Sequence, residues 1–261
     1  MNLRRFIEAK KGEIAALSRA RREGNMPVPF AGTRGDFRAA LQTPPPTGEP
    51  LRAIAEFKRS SPSQGPINGD LDPADAAQAY AEGGAAAMSV LTEETYFHGS
   101  AADLLAAAPA GLPLLRKDFL FDPLQIEQTM ATPAAAMLLI VALTPDAVLL
   151  RDLRQTGESV GIESVVEIFS ERELDTAREA GARVIQVNAR NLETFTTDRS
   201  AGLRLARLRT ESETWITASA MSERRHLTEA AEAGYDAALI GTALMQTPHP
   251  GETLRSLLRQ S

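Results

Sequence analysis

The stretch Ala53-Ile-Ala-Glu-Phe-Lys58 is a short apolar run that ends in a charged residue, and it opens a pattern that fills the rest of the chain. Helix-like stretches separate eight such runs, and several begin with a capping residue and a proline, as in Asp72-Pro73 and Asp122-Pro123. The runs lie at about 53–58, 86–91, 112–116, 135–142, 164–169, 183–188, 214–218 and 237–241. Eight strand–helix units spaced by roughly 20–30 residues predict an α/β fold of the (β/α)8 type.

A doubly wound open sheet is the main alternative for a chain in which strands and helices alternate. That fold carries a glycine fingerprint, G-x-G-x-x-G, in the turn after its first strand. The corresponding segment here is Ser60-Ser-Pro-Ser-Gln-Gly65, which lacks the fingerprint. The length of 261 residues also suits a single barrel of about 250 residues. The sequence therefore predicts a (β/α)8 TIM barrel.

Residues 1–48 precede the first predicted strand. A helix is expected from Leu3 to about Ala20, with apolar residues on one side and its many basic residues, including Lys10, on a solvated face. A short helix near 36–42 follows, and Pro44-Pro-Pro-Thr-Gly48 closes the segment. We expect residues 1–48 to form an N-terminal helical extension packed on the barrel, and residues 49–261 to form the catalytic barrel domain.

Composition excludes several classes of protein. The net charge of -6 argues against a nucleic-acid or anionic-membrane surface, although a small anionic substrate is still allowed. The absence of cysteine excludes disulfides, thiolate metal sites and thiol nucleophiles. No apolar stretch reaches about 18 residues, charged residues occupy the N-terminus, and the three histidines lack a metal-binding spacing. These observations predict a cytoplasmic protein with no metal site.

The lysines are unusual in number and position. The chain has four lysines and 24 arginines, and two of the lysines, Lys58 and Lys117, end apolar runs. Arginine effectively never releases its proton, whereas a lysine ammonium can act as a proton donor. Lys58 and Lys117 are therefore candidate catalytic residues. The alternative is that two strands simply end in solvated lysines.

Other polar residues and glycines also follow the predicted strands, at the C-terminal ends where TIM barrels hold their active sites. Glu56 and Lys58 are two residues apart, so their side chains share one face of the strand. Charged groups that face inward are costly unless they are paired or used. An ion-pair network that closes the barrel mouth is the structural alternative. The residues at these ends are Glu56, Lys58, Lys117, Glu167, Asn188, Arg190, Ser219, Gly241 and Thr242.

The segments that contain these residues resemble the indole-3-glycerol phosphate synthase family over nearly the whole chain. The resemblance rests on Ile54-Ala-Glu-Phe-Lys-Arg-Ser-Ser-Pro-Ser63, Ser89-Val-Leu-Thr-Glu93, Tyr96-Phe-His-Gly-Ser100, Leu114-Leu-Arg-Lys-Asp-Phe119, Val165-Val-Glu-Ile168, Asn188-Ala-Arg-Asn-Leu192 and Leu239-Ile-Gly-Thr-Ala-Leu-Met245. It implies a carbon-carbon lyase of tryptophan biosynthesis. Such an enzyme closes the indole ring of 1-(2-carboxyphenylamino)-1-deoxyribulose 5-phosphate with loss of CO2 and water, and it uses no metal or organic cofactor.

The resemblance also implies a role for each matching residue. Lys117 would be the general acid that protonates the ketone oxygen of the substrate, and Lys58 would hold the carboxylate that leaves as CO2. Glu167 would be the acid–base partner in the dehydration. The remaining implied residues are Glu56 and Asn188, which would orient the lysines and the ribulose hydroxyls, and Ser61, Arg190, Ser219, Ala220, Gly241 and Thr242, which would bind the substrate and its phosphate.

The sequence departs from the family pattern on two strands. Members usually carry a Ser-Glu-Ser-Gly-like turn after the seventh strand, where this chain has Thr217-Ala-Ser-Ala220, and Gln186 stands where glycine is usual. A missing active-site carboxylate can cost roughly 3 kcal/mol, about a hundredfold in rate. We therefore expect a genuine but slow synthase. The alternative is a diverged paralogue, non-catalytic or weakly active, that binds a phosphorylated or anthranilate-like ligand.

Two other barrel enzymes fit less well. Phosphoribosylanthranilate isomerase uses a cysteine and an aspartate, and this chain has no cysteine. The tryptophan synthase α subunit uses carboxylates without two strand-end lysines. The expected partner is thus a small anionic phosphorylated substrate, with no nucleic acid and no membrane. A monomer is expected, and other tryptophan-pathway enzymes are the candidate protein partners.

Overall fold

The computed structural model describes residues 3–62, 64–190 and 196–259. Ser63 and the Asn191-Leu192 pair, which belong to the motifs quoted above, lie outside the described residues. Eight parallel strands form a closed barrel in which each strand pairs with its neighbour in sequence and the first pairs with the last. The predicted (β/α)8 barrel is therefore confirmed. The strands are β1 (Arg52–Phe57), β2 (Ala87–Leu91), β3 (Leu114–Leu120), β4 (Ala136–Ile140), β5 (Glu163–Ile168), β6 (Val184–Asn188), β7 (Thr214–Ala218) and β8 (Ala237–Ile240).

Helices precede the barrel and connect its strands. Asp72 and Asp122 cap two of them through their side chains, each followed by the proline that the sequence marked as a helix start. A short antiparallel pair, Ser60–Ser61 with Gly65–Pro66, follows β1. The helices are α1 (Arg4–Arg22), α2 (Phe37–Gln42), α3 (Pro73–Gly83), α4 (Glu94–Phe97), α5 (Ala102–Ala107), α6 (Pro123–Met130), α7 (Ala147–Glu158), α8 (Glu171–Glu179), α9 (Arg199–Leu205), α10 (Arg224–Ala233), α11 (Thr242–Met245) and α12 (Pro250–Leu258).

Strand β3 is longer than the sequence predicted. The expected run ended at residue 116 with Lys117 at its terminus, whereas β3 continues to Leu120. Its pairing with β4 shifts register, from Arg116 opposite Met137 to Leu120 opposite Leu139. Two extra residues are therefore accommodated in β3, and Lys117 lies at the start of this irregular stretch rather than at a strand end.

Two apolar cores support the barrel. One fills the barrel interior and includes Ile54, Val165 and Ile216, which alternate along their strands with residues that face outward. The other lies between the strands and the surrounding helices and includes Trp215 and Leu150. Because side chains alternate along each strand, the polar residues in register with the interior core point into the barrel at its C-terminal end.

Helices α1 and α2 contact opposite ends of the barrel. Phe6 of α1 stacks on Phe119 of β3, with ring centroids 4.0 Å apart, near the C-terminal ends of the strands. Phe37 of α2 is buried in the interior core, and Arg38 of α2 donates one hydrogen bond to Thr214 at the start of β7 and another to the Ser212 carbonyl. The extension thus closes the N-terminal end of the barrel and reaches over the other end. The domain boundary between residues 48 and 49 stays a prediction.

Lys10 contradicts the expectation that the basic residues of α1 are solvated. It is 2 % exposed, whereas its neighbour Lys11 lies on the surface. The side chain turns toward β3 because a buried carboxylate, Asp118, is there to receive it. Within the described residues, no helix combines the length and the apolar character needed to cross a membrane.

Candidate active site

A cavity of about 360 Å³ opens at the C-terminal ends of the strands. The structure brings the predicted site residues together there, with one exception. Glu167 does not line the cavity and is only 1 % exposed, beneath Asn188. The predicted residues in the lining are Glu56, Lys58, Ser61, Lys117, Asn188, Arg190, Ser219, Ala220, Gly241 and Thr242.

A single carboxylate joins the two candidate catalytic lysines. Glu56 Oε1 accepts a hydrogen bond from Lys58 Nζ at 2.8 Å, and Glu56 Oε2 lies 3.6 Å from Lys117 Nζ. Burial alone would raise the pKa of Glu56, but the charges of Lys58 and Lys117 outweigh it and lower that pKa. Glu56 is therefore ionised and holds two ammonium groups in the same cavity wall. This arrangement is the inward-facing, paired cluster that the strand spacing predicted.

Gly241 makes room for this cluster. A Cβ atom at position 241 would collide with the Glu56 carboxylate and would lie 3.0 Å from Lys58 Nζ. Any larger residue here would have to displace the ends of these side chains, because the end of β8 passes directly beside them. Sequence reasoning gave Gly241 a role in phosphate binding alone and missed this close approach.

Two amide side chains donate hydrogen bonds to the buried carboxyl group of Glu167. Its Oε2 accepts hydrogen bonds from Gln186 Nε2 at 2.5 Å and from Asn188 Nδ2 at 3.2 Å. Burial raises the pKa of Glu167, although the charge of Lys117 and the two amide hydrogen bonds oppose the shift. Asn188 in turn accepts a hydrogen bond from Ser219 Oγ at 2.7 Å. A chain of hydrogen bonds therefore links the buried carboxyl to the floor of the cavity.

The turn after β7 has an unusual backbone. Ser219 and Ala220 both have positive φ angles, of 76° and 58°. Residues with a side chain pay roughly 1–2 kcal/mol for this left-handed conformation, which glycine adopts freely. The glycine of the family pattern would suit position 220 better than Ala220 does. Ala220, which replaces the usual glycine of the family pattern, is thus a strained residue in the cavity wall.

Aromatic side chains form one wall of the cavity, and sequence reasoning missed them. Phe6, Phe97 and Phe119 line it together, and the Phe97 and Phe119 ring centroids are 6.2 Å apart. Phe119 follows Lys117 by two residues and so shares its face, a signal that was present in the sequence. Phe6 could not be placed in the same way, because it comes from α1, more than 100 residues away in the chain.

A buried ion-pair network lies behind Lys117. Asp118 Oδ1 is 2.7 Å from Lys10 Nζ, and Asp118 Oδ2 accepts hydrogen bonds from Thr92 at 2.6 Å and from Arg116 at 3.2 Å. Burial would raise the pKa of Asp118, but Arg116 and Lys10 outweigh it and lower that pKa. Within the described residues, no group of three or more histidine, aspartate or glutamate side chains is arranged to hold a metal ion.

Comparisons with solved structures agree with this fold. The chain superimposes on 3-hexulose-6-phosphate synthase from Salmonella typhimurium with a TM-score of 0.60 and 11% identity, covering 79% of this chain and 96% of that one. A mutant tryptophan synthase alpha-subunit from Pyrococcus furiosus gives a TM-score of 0.56 at 11% identity, covering 80% and 98%. At such low identity these likenesses show the barrel fold alone.

Comparisons of sequence are more specific. The profile of the family described as indole-3-glycerol phosphate synthase matches residues 3–257. The indole-3-glycerol phosphate synthase of Pelodictyon phaeoclathratiforme is 40% identical over 253 residues, which cover 95% of this chain and 97% of that protein. The synthase of Carboxydothermus hydrogenoformans is 43% identical over 207 residues, covering 78% of each chain. From a match of this extent it follows that the chain belongs to the indole-3-glycerol phosphate synthase family.

Proposed function

We propose that this protein closes the indole ring of 1-(2-carboxyphenylamino)-1-deoxyribulose 5-phosphate, with loss of CO2 and water, as a lyase of tryptophan biosynthesis. The observation that carries the proposal is the pair of lysines that Glu56 holds together in one cavity with an aromatic wall. The reaction needs a proton at a developing alkoxide and a cation beside a carboxylate. Two separate ammonium groups at one site can supply both.

Lys117 is the proposed general acid of the ring closure. The ring carbon that bears the carboxylate attacks the ketone carbon, and the ketone oxygen takes a proton from the Lys117 ammonium to become a hydroxyl. The Lys117 side chain is 18% exposed, so the ammonium is largely shielded from water yet faces the cavity. A proton donor in such a site needs little reorganisation at the moment of reaction.

Lys58 is the proposed partner of the leaving carboxylate. Its Nζ lies 2.8 Å from Glu56 Oε1, and its side chain, which is 13% exposed, lines the cavity. A substrate carboxylate on the open side of Lys58 would be held by one charge-assisted contact. As CO2 leaves, the electron pair of the broken C–C bond returns to the ring and restores its aromaticity.

Glu167 is the proposed acid–base partner of the dehydration that follows. The new hydroxyl leaves as water, and the double bond of the indole forms when the neighbouring methylene carbon, which is bonded to the nitrogen, loses a proton. A carboxyl whose pKa burial has raised can hold a proton closer to neutral pH than an ordinary glutamate. Asn188, which bonds Glu167 and lines the cavity, would connect the carboxyl to the ribulose hydroxyls.

The phosphate is proposed to bind where the turn after β7 and the start of α11 line the cavity. Ala220 and its neighbours after β7 line the cavity together with Gly241 and Thr242 at the start of α11. Backbone N–H groups in turns of this kind favour an anion. Ser61, Ser219 and Arg190 line the same cavity and complete the proposed substrate contacts.

Product identification tests the proposed function directly. Purified protein is incubated with the synthetic substrate, and the products are separated and identified by mass spectrometry and by the fluorescence of the indole. The proposal expects indole-3-glycerol phosphate together with one CO2 per molecule formed. Binding of the substrate without any product would favour the non-catalytic paralogue instead, for which Ala218 and the strained Ala220 are the structural support.

The proposal also covers the assembly and the location of the protein. A monomer is the proposed assembly, and the exposed large apolar side chains among the described residues include Val28, Leu105 and the adjacent pair Val148 and Leu149. Other enzymes of tryptophan biosynthesis and a cytoplasmic location stay predictions from the sequence. Light scattering on the purified protein would measure the oligomeric state.

A further inference from the structure

Gln186 is a fully buried polar residue beside the proposed active site. It lies on β6 directly across from Glu167 of β5 in the strand register, and it is 0 % exposed. The family pattern leads us to expect glycine at this position, which would place no polar group there. Gln186 does not line the cavity, so it does not touch the substrate in the arrangement proposed above.

Only one end of the Gln186 amide has a hydrogen-bond partner among the described residues. Its Nε2 donates a hydrogen bond of 2.5 Å to Glu167 Oε2, while its Oε1 is buried and has no hydrogen-bond partner among the described residues. A buried acceptor without a partner is costly and calls for an explanation. One explanation is that the acceptor is needed in a second state of the neighbouring group.

Glu167 is the neighbouring group that must change its protonation state. As acid–base partner of the dehydration, it must be a carboxylate at one point of turnover and a carboxylic acid at another. An amide can donate to the carboxylate through Nε2 and, after a 180° rotation, accept from the acid O–H through Oε1. Asn188 is less free to rotate in this way, because its Oδ1 already accepts from Ser219 Oγ and from the Arg190 N–H.

We propose that Gln186 is a positioning residue that holds the Glu167 carboxyl in one orientation in both of its protonation states. This inference rests on the proposed function, because it assigns the acid–base role to Glu167. The charged groups that act on Glu167 from other strands of the barrel are Lys117 of β3, which favours the carboxylate, and Glu56 of β1, which disfavours it. The hydrogen bond to the charged carboxylate is stronger than the one to the neutral acid, so removal of Gln186 should make Glu167 take up a proton more readily.

The test replaces Gln186 by methionine, which has a similar length and shape but no amide. Glu167 then loses a hydrogen bond to its charged form, and we expect kcat to fall by about tenfold to a hundredfold. KM should stay within about threefold of the wild type, because the residue does not line the cavity. The acidic limb of the kcat profile should move to higher pH, because the pKa of Glu167 rises when a donor to its carboxylate is lost.

Two controls separate positioning from packing. Gln186→Gly installs the residue of the family pattern, so the fold should tolerate it, and it should give the same shift of the acidic limb. Ser89→Ala removes another fully buried polar group of the barrel whose Oγ has no partner among the described residues. That variant should keep kcat within about twofold, because its hydroxyl bonds no proposed catalytic group.

A spectroscopic measurement keeps the test independent of turnover. The carboxyl carbon of Glu167 can be followed by 13C NMR across a pH titration, with the signal assigned through Glu167→Gln. The inference expects Glu167 to titrate at higher pH in Gln186→Met than in the wild type. An unmoved titration, an unmoved acidic limb, or an equal loss of kcat in Ser89→Ala would each overturn it.

Failure of the wild type to form product would overturn the proposed function, while the titration would still decide whether Gln186 acts on Glu167.

Discussion

Replacing Lys10 by methionine should destabilise the protein through Asp118. The Lys10 side chain is 3% exposed and the Asp118 side chain 0%, so their 2.7 Å contact is a buried ion pair. Breaking such a pair by removing one partner typically costs 3–5 kcal/mol, because the other charge remains buried. Asp118 keeps Arg116, Thr92 and the Phe119 N–H as partners, so we expect the lower end, about 3 kcal/mol.

The assay is thermal unfolding followed by circular dichroism at a fixed scan rate. For a chain of this size, about 3 kcal/mol corresponds to a fall in Tm of roughly 6 °C. Lys11→Met is the matched control: it changes the next residue of the same helix, and the Lys11 side chain is 64% exposed in a surface pair with Glu8. A surface pair of this kind is worth about 0–1 kcal/mol, so its Tm should change little.

The pH dependence of the same experiment has a defined sign. The folded state lowers the pKa of Asp118, so its ionisation stabilises the protein fully above the ordinary aspartate pKa of about 3.9. This contribution is lost as the pH falls through the lowered value, and the difference between the wild type and Lys10→Met should shrink there. Asp118→Asn added to Lys10→Met should recover part of the lost stability, because no unpaired charge remains. Equal melting temperatures for Lys10→Met and Lys11→Met would refute the reasoning.

Four further variants test the proposed site by steady-state kinetics. Lys117→Arg keeps the charge but removes the proton donor, so kcat should fall by roughly 10²–10⁴-fold, and a loss of less than about tenfold would take Lys117 out of the acid role. Lys58→Met should weaken binding of the intact substrate more than that of an analogue without the carboxylate; equal losses would contradict the assignment. Gly241→Ala should displace Glu56 and reduce kcat by at least about tenfold, whereas unchanged turnover would show that the cluster adapts. Ala218→Glu with Ala220→Gly should raise kcat/KM by up to about a hundredfold, and a folded double variant without a gain would show that the site is built around alanine.

Much of the barrel was predictable because short local patterns in the sequence mark its strands and the starts of its helices. The apolar run from Ala53 to Phe57 and its seven counterparts each report a buried strand, and capping residues such as Asp72 report where the helices begin. The end of β3 was missed because Asp118 interrupts the apolar pattern. Its buried carboxylate is paired with Arg116 and with Lys10, and the contact with Lys10, from a helix far away in the chain, has no local signal.

The candidate site was predictable to the extent that its residues sit at strand ends. The spacing of Glu56 and Lys58 places their side chains on one face of the strand, and in the structure Lys58 Nζ lies 2.8 Å from Glu56 Oε1. Phe6 was missed because a helix that precedes the barrel brings it to the cavity, and such a long-range contact has no local signal. The sequence also could not predict the burial of Glu167 or its hydrogen bond with Gln186, because both depend on the register between β5 and β6.

The most direct test of the central account is a single-turnover experiment with enzyme in excess over the synthetic substrate. The account predicts that indole fluorescence rises in one kinetic phase to the full amount of substrate, with an equal amount of CO2 released. Lys117→Arg should bind the substrate and show a rate lower by about a hundredfold or more. Absence of indole from the folded wild-type protein, or an unchanged rate in Lys117→Arg, would contradict the claim that the lysines joined by Glu56 carry the ring closure.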